Sequence, residues 1–137
     1  MSMQFSTIIH QGATWSRVFT LRDVNGALVD LTSRSALMQV RPFVDSPTIL
    51  MTPHLTLGGI AGTITATILP VESEGLDLSA QDIGTVTELF ATADGVLTDT
   101  ARGPLVYSDL KLTFSDGLTV QRILDATICI SKEVSRA

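Results

Sequence analysis

Apolar side chains recur at every second residue near both ends of this chain, and that period is what most restricts the folds open to it. From Trp15 to Arg22, Trp15, Phe19 and Leu21 share one parity while Ser16, Thr20 and Arg22 share the other. Alternate residues of a strand point to opposite faces, so the pattern predicts a strand buried on one side. Arg17 puts a charge on the apolar parity, and Val18 puts a hydrophobe on the polar one. Asp23-Val24-Asn25-Gly26 follows, with Asn and Gly able to take positive φ cheaply, and Ala27, Val29 and Leu31 then resume an apolar face. This predicts a hairpin. Ala36, Met38 and Val40 alternate with Gln39 and Arg41 up to Pro42, which has no N–H for a ladder. The most regular strand is Thr63 to Ile68, with threonines at 63, 65 and 67 facing away from Ile64, Ala66 and Ile68; Pro70 closes it. Towards the C-terminus, Leu110, Leu112 and Phe114 are set against Leu118 and Val120 across Asp116-Gly117. A last strand carries Ile128 and Ile130.

Between these strands the spacing changes. Ser79 stands three residues before Asp82 in a capping-box-like arrangement, and Ile83, Val86, Leu89 and Phe90 recur at helical spacing. A short helix is expected there, weakened by about 1 kcal/mol at Gly84. Ala93 to Pro104, with its Asp-Gly and Gly-Pro pairs, reads as a long polar loop. Short strands separated by turn signals, with one helix, predict a mainly β fold. The expected form is an immunoglobulin-like antiparallel β-sandwich with one short helix, a single domain over residues 1–137.

Composition narrows the partners. Only 17% of the 137 residues are charged, against roughly 25% in an ordinary globular chain. The net charge is −5, and the nine Lys and Arg are scattered, so neither nucleic acid nor an anionic membrane is an expected partner. The opening MSMQFSTIIHQG has no basic region followed by a long apolar one, and no apolar run approaches the roughly 18 residues of a membrane span. Synthesis as a soluble product in the cytoplasm is the expectation. A single cysteine, Cys129, excludes an internal disulfide and a cysteine-rich metal site. Either it alternates outward from Ile128 and Ile130, or it packs as a small hydrophobe in a second interface.

Residues able to carry chemistry are few. His10 and His54 are the only histidines, and no metalloprotease, nucleophile-elbow or phosphate-loop motif surrounds them. Gly58-Gly59-Ile60-Ala61-Gly62 is rich enough in glycine to present backbone donors to an anion, yet no helix follows to complete a phosphate site, so a turn is expected. Glu72 with Glu74, or Asp94 with Asp99, supply carboxylate pairs of the kind that hydrolyse sugars, though carboxylates beside Gly and Thr usually solvate loops. Asp94 to Asp99 lacks the alternating oxygen ligands of a calcium loop. Trp15 and Tyr107 sit at strand positions, where core packing is the expected use rather than stacking on a carbohydrate. These readings imply no catalytic residue, no cofactor, no metal and no small-molecule substrate.

The order of motifs resembles a family of small virion proteins of tailed bacteriophages, encoded among tail, baseplate and fibre genes. The opening pattern is Gln11-Gly12-Ala13-Thr14-Trp15, then Asp23-Val24-Asn25-Gly26, Asp30-Leu31-Thr32 and Gln39-Val40-Arg41. The closing pattern is Tyr107 to Leu112, Asp116-Gly117 and Val134-Ser135-Arg136. Ser33 and Asp125 stand where the pattern has glycine, the stretch from Ala91 to Pro104 is longer than usual, and Ser108 is inserted between Tyr107 and Asp109, which suggests a β-bulge. The resemblance implies a non-enzymatic virion protein of the tail, baseplate or fibre-attachment region, held in a symmetric assembly with other virion proteins. The alternatives are a head decoration or neck protein, or a carbohydrate-binding or hydrolytic module at the host surface. Contact with neighbours is expected through the long polar stretch, at Thr92, Asp94, Gly95, Asp99 and Arg102, and through the N-terminal segment, at Met3 and Phe5.

Overall fold

The computed structural model describes residues 3–114 and 117–132, with the side chains at 91 and 92 left out. Among these residues are eight strands: β1 (Met3–His10), β2 (Trp15–Thr20), β3 (Ser35–Arg41), β4 (His54–Leu57), β5 (Thr63–Ile68), β6 (Ile83–Thr92), β7 (Gly95–Thr113) and β8 (Val120–Ser131). One sheet runs β1-β8-β7-β3, with β6 joined to β7, and the other runs β2-β5-β4. The mainly β sandwich is therefore as expected. β1 lies parallel to β8, from Met3 opposite Leu124 to His10 opposite Ser131, while the other strand pairs are antiparallel.

The core lies between the two sheets and follows the two-residue period. Ile64, Ala66 and Ile68 of β5 and Trp15 of β2 meet Ile9 of β1, Met38 and Val40 of β3, Val106, Leu110 and Leu112 of β7, and Leu124, Ala126, Ile128 and Ile130 of β8. Each fully buried aliphatic side chain of this kind stabilises the fold by about 1.5–3 kcal/mol. Phe19 reaches the same core edge-on to Phe5, with ring centroids 5.1 Å apart. The turn after β2 also forms as read. Asp23 Oδ1 accepts the N–H groups of Asn25 and Ala27, Gly26 takes φ 82°, and Arg22 bridges Leu28.

The one α-helix among the described residues, α1, spans Pro70–Glu74, not the stretch from Ser79 to Phe90. Proline suits the first helical position, where no N–H is needed, and Glu72 Oε1 accepts the Leu69 N–H at 2.7 Å. Ser79 does not cap a helix; its N–H and hydroxyl both donate to Asp77 Oδ1. The residues read as helical form β6 instead. Ile83, Thr85, Val86 and Thr87 are β-branched, which favours a pleated strand, and cross-strand pairing with β7 overrides the apolar spacing.

The stretch from Ala93 to Pro104 is likewise not a loop. Only Ala93-Asp94 turns, and Gly95 to Pro104 then pairs with β6 residue by residue, from Thr92 opposite Gly95 to Ile83 opposite Pro104. The Asp94-Gly95 pair marks a hairpin turn rather than a loop. Where β7 leaves the sandwich it crosses β8 closely: a Cβ on Gly103 would lie 2.6 Å from the Ile130 carbonyl oxygen, a separation that only glycine permits.

Two details of the closing strands also differ. Ser108 is not inserted as a bulge; it keeps the β7 alternation opposite Ala126, faces inward, and donates its hydroxyl to the Gln39 carbonyl at 2.8 Å. The irregularity lies further on, where Leu110 opposes Leu124 but Lys111 opposes Arg122, leaving Ile123 as the extra residue on β8. Leu118 and Val120 do not face Leu110 and Leu112; they are exposed, Leu118 to 87%. Asp116 and Val134-Ser135-Arg136 lie outside the described residues.

Candidate interaction surfaces

The β6–β7 hairpin is fastened to the sandwich by a buried carboxylate. Val86, Glu88 and Phe90 share the inner face of β6 with Ala101, Asp99 and Leu97 of β7. Val86 packs on Ile8 and Cys129, which sit on the face of β1 and β8 turned away from the main core. Cys129 thus points outward from Ile128 and Ile130 and also packs as a small hydrophobe in a second interface, and burial pushes its thiol pKa up. Beyond Val86, Glu88 is only 3% exposed. Its Oε1 accepts from the Thr7 hydroxyl (2.9 Å), the Ile8 N–H (3.1 Å) and Arg17 Nη2 (2.9 Å), and its Oε2 accepts from Arg17 Nε (2.7 Å).

This arrangement explains the charge on the apolar parity of β2. Taking an ion pair out of water costs several kcal/mol, which is recovered only where the remaining lone pairs are satisfied. Here the carboxylate is met on both oxygens, and it also satisfies an edge N–H of β1. Trp15 Nε1 donates to the Thr7 hydroxyl at 2.9 Å, so the network reaches into the main core. The Arg17 guanidinium lies over Trp15 at 5.4 Å and over Phe90 at 5.1 Å from the ring centroids, giving it favourable cation–π contact on both. Glu88 was not among the residues singled out from the sequence. The misplaced charge at Arg17 was the available signal for it.

The hairpin's outer face is hydroxyl-rich, with Arg102 as its one charge among the described residues. Thr85, Thr87 and Leu89 of β6 share it with Arg102, Thr100, Thr98 and Val96 of β7, and Thr87 and Thr100 join their hydroxyls at 3.0 Å. At the far end both faces carry exposed hydrophobes: Leu89 (68%) and Val96 (64%) outside, Leu97 (62%) inside. An inner-face leucine that exposed shows that the tip extends past the body of the sandwich.

The expected contact residues distribute along this arm and at the N-terminus. Thr92 pairs with Gly95 beside the turn that contains Asp94. Arg102 is exposed on the outer face, whereas Asp99 turns inward to His10, 3.2 Å away. Met3 is exposed at the start of β1, and Phe5 is half-buried against Phe19. The carboxylate pairs do not converge as an acid and base: Glu72 caps α1 and meets His54 Nε2 at 3.0 Å, while Asp94 and Asp99 lie at the turn and partway down the arm. Gly59–Ala61 form a 3-10 turn between β4 and β5, and the Gly59 carbonyl accepts the Leu31 N–H, a structural use. Trp15 is core.

A second surface lies on the same sheet, on the part of its outer face that the hairpin leaves open. Gln4, Asp125, Asp109 and Gln39 form one row across β1, β8, β7 and β3, with Thr127, Tyr107 and Arg41 in the next row. With Val44 and Arg122 they line a cleft of about 340 Å³. Arg122 Nε stands 3.3 Å from Asp109 and 3.7 Å from Asp125. Arg41 donates to the Ser46 carbonyl and to Gln39 Oε1. Among the described residues no His, Cys, Asp or Glu grouping has the geometry to hold a metal ion. No protein-family model matches this chain, and no curated protein matches it in sequence.

Proposed function

We propose that this chain is a structural protein of a tailed-bacteriophage virion, a tail or baseplate-region component that works through protein–protein contact, with the β6–β7 hairpin as its contact arm. The observation that supports this reading best is the hairpin itself, bonded to the body at its base and carrying exposed Leu89, Val96 and Leu97 at its tip. Centres of protein interfaces are depleted in Lys, Glu and Asp, and the described outer face of the arm has Arg102 as its one charge. The motif order at both ends of the chain supports the virion assignment.

Hydrogen exchange on purified particles and on the free protein tests the reading. Residues 85–102 should gain protection on assembly, and a Leu89→Asp, Val96→Asp, Leu97→Asp variant should fold yet fail to incorporate. Absence of the protein from purified particles, or incorporation of the triple variant at the normal level, would overturn it.

A further inference from the structure

We propose that the cleft on the outer face of the large sheet binds an uncharged saccharide. This activity is separate from the assembly role and does not rest on it. The cleft's volume of about 340 Å³ falls within the range of small-ligand sites, roughly 300–1,000 Å³. Its floor is formed by side chains on four adjacent strands, so its shape is fixed by the sheet register rather than by a loop.

The chemistry of the lining selects the ligand. Arg41 and Arg122 balance Asp109 and Asp125, so the cleft has no formal net charge, and these four groups are engaged with one another or with neighbouring carbonyl and amide groups. An anion or a cation therefore meets offsetting charges and gains no net attraction there. The polar groups left over are neutral. The Gln4 amide and the Tyr107 and Thr127 hydroxyls make no hydrogen bond to the described residues, and Gln39 offers its NH₂ because Arg41 occupies its oxygen.

These groups both donate and accept, which matches sugar hydroxyls that do the same. Tyr107 is the one aromatic side chain in the lining, and its half-buried ring gives the C–H face of a pyranose an apolar surface. A large apolar ligand would find only Val44 and that ring. The inference is of binding alone; no bond is broken.

The test is NMR titration of the ¹⁵N-labelled protein with glucose, galactose, N-acetylglucosamine and their neutral oligomers, with acidic sugars and a neutral peptide as comparison ligands. Saturable shifts should appear at residues 4, 39, 107 and 127 with at least one neutral saccharide. Tyr107→Ala and the more exposed Gln4→Ala should each weaken that binding, Tyr107→Ala by roughly tenfold or more. Leu97→Asp on the hairpin tip should leave it unchanged, which separates this site from the assembly arm. The proposal fails if no neutral saccharide gives saturable shifts, if only acidic sugars or the peptide bind there, or if both cleft variants bind as the parent does.

Discussion

Ser33 takes φ 65°, the one non-glycine among the described residues in the left-handed region. It follows the Asp30-Leu31-Thr32 turn, where Leu31 enters the core and its carbonyl accepts the Arg34 N–H. The Thr32 hydroxyl, and next its N–H, hold the Asp30 carboxyl below the usual carboxylate pKa, which keeps it an acceptor over a wider pH range. A side chain in the left-handed region costs about 1–2 kcal/mol. Ser33→Gly should therefore raise stability by up to about 1 kcal/mol, because relief of that strain exceeds the extra unfolded-state freedom of glycine. Urea denaturation would check it, and a lower midpoint would mean that the serine side chain contributes more than the strain removes. The sequence marked this position, since Ser33 stands where the resembling pattern has glycine. It could not mark Glu88 in the same way, because the partners of that carboxylate lie on β1 and β2, about 70 to 80 residues earlier in the chain.

Elements with one buried face were legible, and those that depend on a distant partner were not. β5 alternates cleanly because the main core lies on one side and solvent on the other. In β6, Val86 and Phe90 occupy the inner face and Ile83 and Leu89 the outer one, so apolar residues on both faces imitate helical spacing. Only the pairing with β7 distinguishes the two readings, and its strand length was hidden by the polar residues it needs on an arm. At the other end of β7, the sequence placed Leu110 and Leu112 in the core correctly but with the wrong opposing residues: pairing resumes past the turn with Phe114 bonded to Thr119 and Leu112 opposite Gln121, and the extra Ile123 then sets Leu110 opposite Leu124. Leu110→Ala should then cost about 2–5 kcal/mol through the cavity it leaves, while Leu118→Ala should change stability by no more than about 0.5 kcal/mol. Chemical denaturation of the two variants measures both, and equal losses would show that the observed register is not the one in solution.

At the scale of the whole molecule, the chain builds a second, smaller core outside the sandwich, with Ile8, Val86 and Cys129 at its centre and Glu88 closing one side. Under the proposed contact role, an arm held in one orientation beforehand would lower the ordering cost of meeting a neighbour. The sequence divided the segment that forms the arm into a helix and a loop, and it could not show the attachment, which exists only once β1, β2 and β6 converge. Cys129 makes the attachment measurable. A thiol must reach solvent and ionise to react, and here burial opposes both. In the native protein, alkylation by iodoacetamide at neutral pH should be far slower than in denaturant. Glu88→Ala leaves Arg17 without its carboxylate and the Thr7 hydroxyl and Ile8 N–H without their acceptor, a loss of about 3–5 kcal/mol for a buried pair. If that loss falls on the docking of the hairpin, Cys129 should become reactive in Glu88→Ala under conditions where the main core, followed by Trp15 fluorescence, remains folded. Leu97→Asp, which alters only the exposed tip, should keep Cys129 protected. Labelling that accelerates only as Trp15 fluorescence is lost would mean that arm and sandwich open as one unit, and that Glu88 stabilises the whole fold rather than fastening the arm to it.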